Sequence, residues 1–246
     1  MIPFPPPLSP NDALFLDLDG TLFDLQPRPE MVRSDAESAA LLAGLALGLT
    51  GRVAVLTGRS LQDADRILDG QVRAVSGSHG LERRTGSGDL SVASVHPAVD
   101  EARRAFLDFQ RDHPAVVVED KGLGVCLHYR TAPELEAAVL ELGRALAAES
   151  PLHAQPGSMM FELRTPGGGK GAALRAYLGE APFAGARPVF VGDDLTDEDG
   201  FIAAQTAGGY GVIVGERRPT AAVYALPDVA AVRRWLRALA PATEAA

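Results

Sequence analysis

The chain has 246 residues, enough for one large domain or two modest ones, and its 46% hydrophobic and 22% charged content is that of an ordinary globular protein. A net charge of −9 argues against nucleic acid and anionic membranes as partners, while a site holding a divalent cation can still draw in an anionic substrate. One cysteine, Cys126, excludes an internal disulfide, and no cluster along the sequence supports a zinc site. The start, Met-Ile-Pro-Phe-Pro-Pro-Pro, lacks the basic and apolar regions of a signal peptide, and the longest apolar-rich segment, 39–49, is too short to span a bilayer. A soluble, cytoplasmic, monomeric protein is expected, with neither a membrane nor a nucleic-acid partner.

Residues 13–16, Ala-Leu-Phe-Leu, predict a buried parallel strand that runs into Asp17-Leu-Asp19-Gly20-Thr21 and stops at a tight turn. Side chains at i and i+2 of a strand share a face, so both carboxylates can point into one crevice. Paired like charges there need a cation or a shared proton. A helix over 36–49 follows, then a strand at 52–56 ending in Thr57-Gly-Arg59-Ser60, a helix over 61–68 and a strand at 72–75. This alternation predicts a parallel α/β sheet. The texture changes at 83–88, Arg-Arg-Thr-Gly-Ser-Gly, which reads as a linker.

Beyond it the order becomes helix 97–111, strands 116–120 and 124–130, helix 133–149, then strands 152–155 and 159–164. Adjacent strand pairs predict hairpins and an antiparallel sheet with helices on one face. Thr165-Pro-Gly-Gly-Gly169 is a second linker, after which the α/β texture returns: a helix from Lys170, strand 189–191, helix from 196, strand 212–214 and helix 229–239. The expected class is therefore α/β, with a Rossmann-like parallel-sheet core in two parts, 1–84 and 166–246, and an inserted α+β cap over 85–165.

Three further places carry chemistry. Asp193 and Asp194 directly follow an apolar strand, with Asp197 close behind. With Asp17 and Asp19 they make an oxygen-rich set suited to Mg²⁺, against the plainer reading of a helix cap. Thr57 at a strand end can hold a phosphate oxygen, or simply cap the next helix. Lys170, after three glycines, can neutralise phosphate or be a solvated lysine in a flexible linker. On the inserted strands Glu119 and Lys121 share a face, as do His128 and Arg130, and Glu162 can join them. Such a face is either solvated or suited to a polyhydroxylated sugar. His79 is a turn residue or a hinge contact.

The order Asp-x-Asp-Gly-Thr, Thr-Gly-Arg, Gly-Lys-Gly, Gly-Asp-Asp resembles the haloacid dehalogenase superfamily of aspartate-nucleophile phosphatases. Closer still is the trehalose-6-phosphate phosphatase family, through Gly77-Ser-His-Gly-Leu-Glu82, Glu119-Asp-Lys-Gly122, Leu127-His-Tyr-Arg130, Phe161-Glu-Leu-Arg164 and Gly192-Asp-Asp-Leu-Thr-Asp-Glu198. Two departures, Thr165 ahead of Pro166 and Thr57 where serine is common, leave the chemistry in place. The resemblance implies Mg²⁺-dependent hydrolysis of trehalose 6-phosphate through an aspartyl-phosphate. Asp17 is then the nucleophile, Asp19 the acid and base, and Thr57 and Lys170 complete the catalytic set with backbone N–H groups near Gly20. Asp17, the Asp19 carbonyl and Asp193 hold the metal, with Asp194 and Asp197 orienting water around it. Glu119, Lys121, His128, Arg130 and Glu162 bind the sugar on a cap that closes over the core. Related phosphatases of sucrose-phosphate or mannosylglycerate-phosphate type, a phosphomutase, and a non-catalytic sugar-phosphate sensor are the alternatives.

Overall fold

A computed structural model describes residues 2–26, 29–157, 159–215 and 219–239. They form two units, one built from the chain up to Ser91 and from Gly168 onward, the other from Val92–Gly167. The first unit begins with β1 (Asp12–Leu16), α1 (Ala36–Gly48), β2 (Val53–Leu56), α2 (Leu61–Leu68), β3 (Ala74–Gly77), β4 (Glu82–Arg84) and β5 (Leu90–Val92). The second unit holds α3 (Ala98–Asp112), β6 (Val117–Asp120), β7 (Gly124–His128), α4 (Glu136–Ala148), β8 (His153–Gly157) and β9 (Met160–Arg164). The first unit then resumes with α5 (Lys170–Leu178), β10 (Arg187–Gly192), α6 (Glu198–Thr206), β11 (Tyr210–Val214), β12 (Tyr224–Leu226) and α7 (Val229–Arg237).

The first unit's sheet runs β12-β11-β10-β1-β2-β3-β4-β5. The pairs from β12 to β3 are parallel, and β4 turns antiparallel to β3. Every residue of β1 is buried, because the sheet is covered on both faces. Leu14 and Leu16 pack on one side with Leu42 and Leu45 of α1, Ile67 of α2 and Trp235 of α7. Ala13 and Phe15 pack on the other with Leu174 and Tyr177 of α5 and Phe201 of α6. Three layers result, as the alternation of apolar strands and helices predicts. Three helix starts, those of α1, α2 and α7, are capped by short side chains: Asp35 accepts from Ser38 N, Ser60 from Asp63 N and Asp228 from Ala231 N.

Some segments differ from expectation. Residues 83–88 read as a linker, yet Glu82–Arg84 pairs with β3, and Arg84 grips Asp65 of α2 through two bonds of 2.7 Å. A short strand made of Glu-Arg-Arg has no apolar alternation to betray it. The helices expected from 133 and 196 start as 3₁₀ turns, Pro133–Leu135 and Leu195–Asp197. The second unit forms an antiparallel sheet in the order β6-β7-β9-β8. Val125, Leu127, Phe161 and Leu163 face Phe106 of α3 and Val139 of α4. No helix among the described residues is long and apolar enough to cross a membrane.

Candidate active site

In the first unit β2 follows on one side of β1 and β10 lies on the other, so the strand order reverses at the β1–β10 pair. The carboxyl ends of strands at such a reversal frame the crevice where α/β sheets bind ligands. Asp17 stands one residue past β1, its N–H donating to Val191 O of β10 at 3.0 Å. Asp193 stands one residue past β10. Gly20 has a φ of +77°, and a Cβ there would lie 2.1 Å from Asp193 Oδ2, so only glycine permits this approach.

Lys170, the first residue of α5, is 3% exposed. Its Nζ lies 2.9 Å from Asp17 Oδ1 and 2.6 Å from Asp197 Oδ1. The other oxygen of Asp197 accepts the N–H groups of Asp193 and Asp194, each at 2.9 Å. Asp197 therefore fixes both the lysine and the loop that carries Asp193. Carboxylate oxygens of Asp17, Asp193 and Asp197 come within 4.8 Å of one another. Burial first, then the charges of Asp197 and Asp193, push the Asp17 carboxyl well above its usual range against the pull of Lys170. Burial and Asp197 push Asp193 up to about 6. Against burial, Asp17 and Asp197 hold the Lys170 ammonium firmly charged. Three carboxylates facing one ammonium leave two negative charges when all are ionised. An all-oxygen donor set with that surplus fits a hard divalent cation.

Around this cluster lie the remaining predicted residues of the first unit. Thr57 is buried just past β2, and its Oγ1 accepts the Arg59 N–H at 3.2 Å. Arg59 takes Asp19 in a two-pronged grip, Nε to Oδ2 at 2.5 Å and Nη2 to Oδ1 at 2.7 Å, and also bonds Asp63. Against burial, these two carboxylates raise the Arg59 pKa. Asp194 is exposed and caps the 3₁₀ turn at Leu195 N, with its backbone N–H bonded to Asp197. The Gly77–Glu82 stretch braces the site from behind. Glu82 accepts from Leu61 N at 2.9 Å and Ser78 Oγ at 2.7 Å, while the His79 carbonyl accepts from Gly169 N at 2.6 Å, ahead of Lys170.

In the second unit the sheet face opposite α3 and α4 is polar. Glu119 pairs with Cys126, Cys126 with Glu162 and Glu162 with Gln155 across the four strands, which puts them on one face. Lys121 Nζ bonds Glu162 Oε2 at 2.9 Å, and His128 Nε2 lies 2.8 Å from Glu119 Oε2. Glu162 is 4% exposed, so Lys121 balances a buried charge. Arg130 corrects an expectation: β7 ends at His128, and Arg130 sits in the following turn, exposed, rather than continuing the strand face. Buried Tyr129, whose N–H bonds Met159 O at 3.0 Å, turns the chain there.

The family model described as trehalose-phosphatase matches residues 15–230. The chain belongs to the trehalose-phosphatase family. It is similar to the trehalose-6-phosphate phosphatase of Escherichia coli, at 35% identity over 97% of this chain and 90% of that protein. It is 36% identical to a protein of Sinorhizobium fredii named probable trehalose-phosphate phosphatase, over 94% of this chain and 88% of that one. A crystal structure of a trehalose-6-phosphate phosphatase related protein covers 92% of this chain and 96% of its own, with 27% identity and a TM-score of 0.68. The chain is thus a phosphatase with a fold of haloacid dehalogenase type.

Two residues of this phosphatase escaped the sequence reading. Arg59 was legible only as part of a weak Thr-Gly-Arg, although Asp63 four residues on, at helical spacing, marks a cation turned back towards the strand ends. Cys126 shares a strand face with His128 two residues on, but Glu119 reaches it only through strand pairing.

Proposed function

We propose that this phosphatase hydrolyses trehalose 6-phosphate to trehalose and phosphate in two displacements at Asp17. The observation that carries the reading is Lys170 lodged between Asp17 and Asp197, with Asp193 beside them, at the strand reversal. The Asp17 carboxylate attacks phosphorus, and the bond from phosphorus to the sugar oxygen breaks. Splitting the reaction this way replaces one difficult step with two easier ones. Asp19, with one oxygen released by Arg59 and protonated, gives that proton to the departing oxygen, then takes one from the water that attacks the aspartyl-phosphate and frees Asp17. Lys170, Thr57 and backbone N–H groups near Gly20 offset charge on the transferring oxygens.

Asp17, Asp193 and the Asp19 carbonyl would hold Mg²⁺, which when bound neutralises charge between nucleophile and phosphate. Asp197 keeps Lys170 and the Asp193 loop in register, and Asp194 caps the turn behind them. We assign the inserted unit the role of cap. Glu119, Lys121, His128 and Glu162 on its polar face, with Arg130 from the adjoining turn, hold the glucose that does not react, offering the donors and acceptors that sugar hydroxyls need. The single cysteine suits the reducing cytoplasm in which we place the reaction.

The test is phosphate release from a panel holding trehalose 6-phosphate, sucrose 6-phosphate, mannosylglycerate phosphate and glucose 6-phosphate. A specificity constant for trehalose 6-phosphate at least about tenfold above the others supports the reading. Preference for another member reassigns the substrate, and no release from any member overturns the trehalose 6-phosphate reading and places the substrate outside this panel.

A further inference from the structure

The polar face of the second unit carries a thiol that sugar binding does not require. Cys126 lies opposite Glu119 in the β6–β7 register and two residues before His128. The sulfur, a Glu119 carboxylate oxygen and a His128 ring nitrogen all lie within 4.8 Å of one another. Cys126 is fully buried, whereas the side chains of Glu119 and His128 are 50% and 36% exposed. The thiol is thus the floor of a shallow cup whose rim is open to solvent. Lys121 is bonded to buried Glu162, which matches its charge in part, although that charge is still felt at Cys126 and Glu119.

We propose that Glu119, Cys126 and His128 form a binding site for a thiophilic divalent cation of the zinc class, separate from the all-oxygen cluster of Asp17, Asp193 and Asp197. Sulfur, imidazole and carboxylate are the ligand types zinc takes, and three protein ligands leave a fourth position for water. With bonds of about 2.0–2.3 Å, ligand atoms around a tetrahedral zinc stand roughly 3.3–3.8 Å apart. The Glu119–His128 contact of 2.8 Å therefore opens by roughly half an ångström, and the sulfur, within 4.8 Å of both partners, closes to about 3.3–3.8 Å. Burial pushes the Cys126 thiol up to about 12, with Lys121 pulling the other way. Binding accordingly breaks the S–H bond, sends the proton to solvent and puts the sulfur lone pair on the metal. Where Glu119 and His128 also hold sugar, a consequence that rests on the function proposed above, bound zinc and sugar compete.

Cobalt(II) titration of the full chain stripped of metal tests the site, because Cys126 is the only cysteine and any thiolate-to-cobalt charge-transfer absorption in the near ultraviolet comes from it. The expected result is a band that saturates at one equivalent per chain, bleaches on adding zinc and disappears in Cys126→Ala. It should persist in Asp193→Asn, which alters only the other cluster. His128→Ala and Glu119→Gln change partly exposed positions, and each should need at least tenfold more cobalt, with circular dichroism checking the fold of every variant. No band in the folded wild type, or the same cobalt dependence in both rim variants, overturns the site. Trehalose added during the titration separates the two readings. A shift to higher cobalt supports competition at the cup, while a band indifferent to trehalose overturns the sugar role of Glu119 and His128 and leaves the metal site standing.

Discussion

Arg59 holds Asp19 by two nitrogens at once, at 2.5 and 2.7 Å, which fixes the plane of the carboxyl group. Lysine keeps the charge but cannot reproduce that planar two-point contact. Arg59→Lys should therefore lower kcat on trehalose 6-phosphate roughly tenfold, with KM little changed, as expected when a proton-transferring group loses its orientation. The loss should be smaller on p-nitrophenyl phosphate, whose leaving group departs without a proton. Equal losses on both substrates would place the effect of Arg59 in the shared second displacement or in stability rather than in leaving-group protonation.

Chelation should abolish hydrolysis and Mg²⁺ should restore it. Ca²⁺ prefers longer bonds and more ligands than the Asp17–Asp193 cluster presents, and should restore little. Phosphate release after EDTA treatment, with elemental analysis of the stripped protein, checks this. Full activity with no metal present would remove the role given to Asp193.

Without metal, Asp193 should also make stability depend on pH. It titrates at about 6 in the folded chain against 3.8 for a free aspartate, so the folded state holds its proton more tightly. Its stabilisation is fully present below about pH 4 and is lost as pH rises through about 6. Between pH 4 and pH 7 the metal-free wild type should lose up to about 3 kcal/mol that Asp193→Asn retains. Urea unfolding in EDTA at the two pH values measures the difference, and parallel losses in both proteins would contradict it.

On the inserted unit, Glu119 is half exposed, so truncating it should leave the fold intact while removing the hydrogen bond proposed to the distal sugar. Glu119→Ala should cost roughly 1.5–3 kcal/mol, about ten- to a hundredfold in specificity constant for trehalose 6-phosphate. A small aryl phosphate should be nearly unaffected. Lys121→Ala should behave alike but also lower the melting temperature, because buried Glu162 loses its counter-ion. An unchanged constant for trehalose 6-phosphate would mean a merely solvated face.

The parallel core was legible because its strands are buried on both faces and so read as apolar runs, each ending in the residue that matters: Asp17 after 12–16, Thr57 after 53–56, Asp193 after 187–192. Lys170 was legible by its place at a helix start, but its two partners were not. Asp197 clamps the lysine from 27 residues away, a relation that exists only once α5 and the loop after β10 meet. The Glu82–Arg84 strand was hidden by its charges, and the strand was read on to Arg130 because a strand end leaves no mark in an alternating pattern. His79, ambiguous in sequence, is buried at positive φ, with its carbonyl tied to Gly169.

The most direct test of the account is the rate at which purified Asp17→Asn releases phosphate from trehalose 6-phosphate in the presence of Mg²⁺. Asparagine nearly preserves the volume of a side chain that is 5% exposed, and it relieves a buried carboxyl of its desolvation, so the fold should survive. Without an attacking carboxylate, the rate should fall at least about a thousandfold. A folded Asp17→Asn protein, free of other phosphatases, that still turns over at close to the wild-type rate would contradict the nucleophile assignment and the two-displacement mechanism with it.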